Sequence, residues 1–66
     1  MDRGTKNRLQ HLESKGIKPK CYVRSRNSFL TFRVGHLTPD GYAYCYRVQD
    51  GEIDRQEFHP WEIDLV

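Results

Sequence analysis

Residues 42–66 read YAYCYRVQDGEIDRQEFHPWEIDLV, and this stretch decides the fold class. Tyr42–Gln49 alternates with period two, the repeat of a strand with one face buried. Asp50-Gly51 follows, a pair suited to a two-residue hairpin turn because both positions need a positive φ. Glu52–Phe58 is then the returning strand. Ile53 and Phe58 have opposite parity in it, so either a bulge intervenes or one of the two faces outward. Pro60 cannot donate to a ladder, and His59-Pro60-Trp61 interrupts the strand there. Glu62–Val66 predicts a last short strand with Ile63 and Leu65 inward.

Period two also governs the residues upstream. Lys20–Arg26 predicts a first strand with Cys21 and Val23 on one face, and Asn27-Ser28 a turn. Phe29–His36 predicts a second, in which Leu30, Phe32 and Val34 alternate against Phe29, Thr31 and Arg33. Thr38-Pro39-Asp40-Gly41 is a turn, since Pro39 presets φ and Gly41 accepts a positive one. The N-terminal segment is different. Residues 5–15 predict a helix with Thr5 or Asp2 as N-cap. Its end is well marked: Gly16 suits a left-handed position, Ile17 meets Leu12 in a Schellman ending, and Pro19 blocks continuation. Its apolar stripe is only Leu9 and Leu12. A helix that short and polar must dock, either as a lid on the strands or on a partner.

The expectation is a mainly β chain, one domain over residues 1–66, with a helix at 5–15 and the strands at 20–66. Five short strands with tight turns favour a closed or nearly closed small barrel, which hides the edges of a flat sheet. Eight aromatics supply large area to a thin core. Cys21 and Cys45 sit in strand-like runs and read as small hydrophobes in a reducing compartment. No apolar run is long enough for a bilayer, and Met1–Gln10 lacks the apolar core of a signal peptide, so the expected location is cytoplasmic, away from membrane.

Charge is divided along the chain. Residues 1–33 carry nine Lys/Arg against two acidic residues, and residues 34–66 carry two against seven. Such a split makes either a basic binding face or two halves that neutralise each other.

Residues 42–66 resemble the close of SH3-like small β-barrels, where an aromatic and a proline lead through a 3₁₀ turn into a final apolar strand. That resemblance implies the barrel fold, which hosts many functions. Leu37-Thr38-Pro39-Asp40-Gly41-Tyr42-Ala43 looks like a hairpin of the type II dihydrofolate reductases, short SH3-like chains that share an active pore as tetramers. Gln56, Phe58 and Pro60 echo that family's pore strand. The family's Val-Gln-Ile-Tyr reads Arg55-Gln56-Glu57-Phe58 here, and its first-strand lysine falls at about Ser25. A glutamate on the pore floor opposes folate and nicotinamide stacking, so the resemblance implies the barrel more than the enzyme. Tyr46-Arg47, Asp50-Gly51-Glu52 and Arg55 through Pro60 are similar to the first hairpin of Sm-like WYL regulatory domains. The size and plain architecture resemble phage accessory proteins, some of which inhibit host complexes.

Two features point to chemistry. Tyr42, Tyr44 and Tyr46 share one face with Val48. They are either an aromatic platform on which bases stack or the inward face with hydroxyls at the rim; the shortage of other large residues favours the inward placement. The basic run is the second. Tyr22 lies on one strand face with Arg24 and Arg26, and Lys18, Lys20 and Arg33 complete a surface suited to phosphates. His36, His59, Cys21 and Cys45 lack zinc-ligand spacing. His11 is expected to be exposed. No nucleophile, phosphate-loop or metalloprotease motif is present, so no catalytic residue and no cofactor is expected. The expected function is non-enzymatic binding of RNA or DNA as an accessory or regulatory module, through Lys18, Lys20, Tyr22, Arg24, Arg26 and Arg33. The alternatives are docking to a host protein or to a second copy of the chain, and, remotely, a reductase.

Overall fold

The computed structural model describes residues 2–66. A helix, α1 (Arg3–Ser14), precedes five strands: β1 (Tyr22–Ser25), β2 (Thr31–Leu37), β3 (Ala43–Gln49), β4 (Glu52–Phe58) and β5 (Ile63–Leu65), with a 3₁₀ turn at Pro60–Glu62 before the last. The strands form one antiparallel sheet in the order β4-β3-β2-β1-β5. The chain is thus mainly β, as its periodicity implies. The sheet is open: β4 and β5 are its two edges.

The helix begins at the earlier of the two N-caps that the sequence offers. Asp2 is the N-cap, its carboxylate accepting from the Thr5 N–H at 2.7 Å, and Thr5 lies buried inside the helix. The C-terminal end is a Schellman motif: Ile17 N–H donates to the Leu12 carbonyl at 3.0 Å and Gly16 N–H to that of Glu13, with Gly16 at φ 73°. The helix is a lid. Leu12 and Ile17 enter the core, and Leu9 is half-buried. Arg8 Nε donates to the Asp40 carbonyl at 2.8 Å, tying the first turns of α1 to the β2–β3 turn. Lys15 Nζ donates to the carbonyls of Pro60 (2.9 Å) and Ile63 (2.7 Å), tying its last turn to the β5 edge. The Ile63 carbonyl would otherwise be open to strand pairing.

The core is thin. Val23 from β1, Phe32 and Val34 from β2, Ala43 and Cys45 from β3, Phe58 from β4 and Ile63 from β5 meet Leu12 and Ile17. Phe32 and Phe58 pack edge to face, centroids 4.9 Å apart. This corrects the inward placement of the tyrosines: Ala43 and Cys45 are the buried parity of β3, Tyr44 and Tyr46 lie half-buried on the other, and Tyr42, just before the strand, packs against Arg8 and His59. Phe32 and Phe58, on the two strands that flank β3, already fill the interior, so small residues suit the strand between them. Burial pushes the Cys45 thiol up to about 12. Iodoacetamide at about pH 8 is therefore expected to spare Cys45 in the folded protein and label half-buried Cys21 first. Equal labelling of both without denaturant would contradict this placement.

Several finer expectations also shift. The β3–β4 ladder runs without a bulge, and Ile53 faces outward opposite Val48. The irregularity lies in β2, between Val34 and His36, and it restores Leu37 to the inner side. Leu30 falls outside β2 and Leu65 is half-exposed, because strands this short cannot cover both ends. His11 is half-buried, its ring 3.7 Å from that of Trp61, and its Nε2 is enclosed with no hydrogen-bond partner.

These contacts set an acid response. Burial lowers the pKa of His11 below its ordinary 6.5, helped by the charges of Lys15, His59 and Arg26. The neutral form is favoured in the fold, so stability starts to fall as pH drops through 6.5. Asp64 is held well below the carboxylate range by Arg26 and then Lys15, and Asp2 is lowered by the Thr5 N–H. Their contributions are complete above the ordinary value of 3.8 and are lost as pH falls through the lowered values. Thermal midpoints measured against pH should fall in two stages, and His11→Phe should remove the first alone.

Candidate nucleic-acid interface

The face of the sheet opposite the core is built by register. Tyr22 pairs with Arg33, Arg33 with Tyr46, and Tyr46 with Arg55. Side chains directly across neighbouring strands point to the same side. Four adjacent strands, β1 to β4, therefore carry a transverse row that alternates tyrosine and arginine. The Arg33 guanidinium lies over the Tyr22 ring, 5.8 Å from its centroid. Tyr22 is 53% exposed. Tyr22, Thr31, Arg33, Tyr46 and Val48 line a shallow depression of about 300 Å³.

Each end of the row has an origin in the sequence. The Asp50-Gly51 turn, with φ of 52° and 79°, sets Gln49 opposite Glu52 and hence Tyr46 opposite Arg55. On the far side Arg24 follows Tyr22 by two residues and shares its face, opposite Thr31 on β2 and Asp64 on β5. Next to the row, His36 and Tyr44 stack at 4.9 Å with planes 17° apart, and Glu57 stands opposite Tyr44.

The expected binding residues do not all converge. Tyr22, Arg24 and Arg33 share the outer face. Arg26 is spent structurally: its Nε and Nη2 both bond the Asp64 carboxylate, at 2.8 and 2.9 Å. Lys15 shares that carboxylate at 3.3 Å, and these are the two ion pairs among the described residues. Lys18 lies beside Leu9, Glu13 and Gly16 of the helix end, away from the row. Lys20 is exposed in the turn before β1, with φ of 75°. Tyr46 and Arg55 are the additions. The hairpin arithmetic around Asp50-Gly51 could have found Arg55, since a two-residue turn fixes every partner downstream.

A second depression, about 410 Å³, lies on the β1–β5 side between Arg24, Phe29, Leu65 and Val66. Phe29 there is 76% exposed at the end of the turn after β1. Among the described residues no three His, Cys, Asp or Glu side chains converge as metal ligands, and no helix is long and apolar enough to cross a membrane. No protein-family model matches the chain, and neither a curated protein nor a solved structure matches it significantly.

Proposed function

We propose that this chain is a small non-enzymatic module that binds nucleic acid, RNA or DNA, on the outer face of its sheet, in an accessory or regulatory role. The observation that carries this reading is the Tyr22–Arg33–Tyr46–Arg55 row. Arg24, Arg33 and Arg55 make no ion pair among the described residues, so their charges are free for phosphates. Aromatic rings interleaved with such cations offer flat apolar surface beside positive charge, which is what a nucleotide presents in complement. The SH3-like small-barrel reading belongs with this proposal. It is supported by four consecutive antiparallel strands with β5 returning to pair with β1, a 3₁₀ turn before β5, and a helix tied to both the β2–β3 turn and β5.

Fluorescence anisotropy with labelled oligonucleotides tests the reading. Binding should appear at low salt and weaken steeply between about 50 and 200 mM salt, linearly in log–log form. Charge reversal at Arg24, Arg33 and Arg55 together should weaken binding to all sequences alike and flatten the salt slope. Absence of binding at low salt would sink the proposal.

A second reading rests on a separate observation. The cleft between Phe29, Leu65 and Val66 is apolar and exposed, which suits a host protein or a second copy of the chain. Size-exclusion chromatography with light scattering after nuclease treatment separates the two. A dimer that Phe29→Asp converts to monomer favours the cleft.

A further inference from the structure

The spacing of the row restricts which nucleic acid can use it, a restriction that rests on the nucleic-acid binding proposed above. Tyr22 and Tyr46 sit on β1 and β3, with β2 and its Arg33 between them. Two strand spacings separate the backbone positions that carry the rings by about 10 Å. Bases stacked in one strand of a duplex lie only about 3.4 Å apart. Neighbouring bases therefore cannot cover both rings while still stacked on each other. A ring also needs the open face of a base, and a duplex keeps those faces against the next pair.

Shape argues the same way. The row crosses four strands, about 14 Å from β1 to β4. A B-form major groove is about 12 Å wide and admits a helix or a two-stranded ribbon, not the flat of a four-stranded sheet. Charge bounds the path. On the β3–β4 side, Glu57 stands on one side of the row, opposite Tyr44, and the Asp50 turn lies on the other, beyond Val48 and Ile53. A phosphate chain directed along β3 and β4 meets carboxylate both ways, whereas one directed across the strands follows Arg33 and Arg55.

We infer that the outer face takes single-stranded nucleic acid laid across the strands. One unpaired base stacks on Tyr22 and one on Tyr46, with the sugar–phosphate chain held between them by Arg33 and beyond them by Arg55. Arg24 extends the cationic track on the β1 side.

The test compares labelled oligothymidylate and oligouridylate of about 12 nucleotides with a duplex of about 12 base pairs, by anisotropy at low salt. Both single strands should bind at least about tenfold tighter than the duplex. Tyr22→Ala and Tyr46→Ala should each weaken single-strand binding about fivefold or more, and Tyr22→Phe and Tyr46→Phe should restore it, because stacking needs the ring and not the hydroxyl. The phenylalanine variants, with thermal melts of all four, separate lost stacking from lost folding. Duplex binding as tight as single-strand binding overturns this inference. So do alanine variants that fold and bind like the parent while charge reversal at Arg33 still weakens binding. Both of those results leave the nucleic-acid reading standing. No binding of any of the three probes overturns both.

Discussion

Phe32→Ala should leave little folded protein at 37 °C. Phe32 is 1% exposed and sits on β2, the middle strand of five. Its ring meets Phe58 edge to face, and the Arg47 guanidinium lies 5.9 Å from its centroid. Truncating a buried phenylalanine costs about 3–5 kcal/mol, because the transfer energy and the cavity both count. At about 0.05–0.15 kcal/mol per residue, a chain of this length has about 3–10 kcal/mol in all. The core has no second layer to collapse into the gap. In thermal denaturation followed by circular dichroism, the midpoint should drop by roughly 12–40 °C, or the cooperative transition should vanish. A variant that melts like the parent would show that Phe32 is not the centre of the core.

Gly41→Ala should detach the helix lid. Gly41 is buried with φ of 89°, where an L side chain is strained by about 1–2 kcal/mol. Its neighbours make the position worse. A Cβ there would stand 2.6 Å from Arg8 Cβ, 3.2 Å from the Thr5 carbonyl oxygen and 3.3 Å from the Leu9 nitrogen. Two of these are helix backbone, and the third is the root of a side chain that cannot swing aside. The turn and α1 must separate, and that breaks the bond from Arg8 to Asp40 and the stacking of Arg8 on Tyr42 at 4.7 Å. Overpacking of this kind adds about 1–3 kcal/mol to the φ strain. Gly51→Ala is the control. Gly51 has a similar φ of 79° but open space around it, so it should cost the strain alone. Urea melts should rank Gly41→Ala well below Gly51→Ala, and the first variant should also lose helical ellipticity. Equal stabilities would mean that the helix does not bear on the turn.

The local features of this chain are legible because each depends on a few neighbouring residues. Asp50-Gly51 specifies a hairpin since both positions must take positive φ, and the two central angles are positive. Gly16, Ile17 and Leu12 specify the helix ending in the same local way. At the corner, His59 Nδ1 accepts from Trp61 N–H and the Glu62 carboxylate from His59 N–H, a reciprocal cap that turns the chain into β5. The basic run was legible as composition, and Tyr22 and Arg24 as one strand face. What composition could not distinguish was a free arginine from a bonded one: Arg24 and Arg26 look alike in sequence, and only Arg26 meets Asp64, 38 residues away.

The stretch from Tyr42 to Val66 shows where the boundary falls. Its alternation by itself determined that Tyr42, Tyr44 and Tyr46 share a face, and the turn that follows determined their partners on β4. Which way that face points is a different quantity. Period two is symmetric between the two sides of a strand, and only the competition for interior volume breaks the symmetry. Phe32, Phe58, Leu12 of the helix and Ile17 just after it fill that volume from other parts of the chain. Ala43 and Cys45 therefore turn inward, and Tyr44 and Tyr46 come to lie on the outside, Tyr46 between Arg33 and Arg55, where a candidate binding face exists.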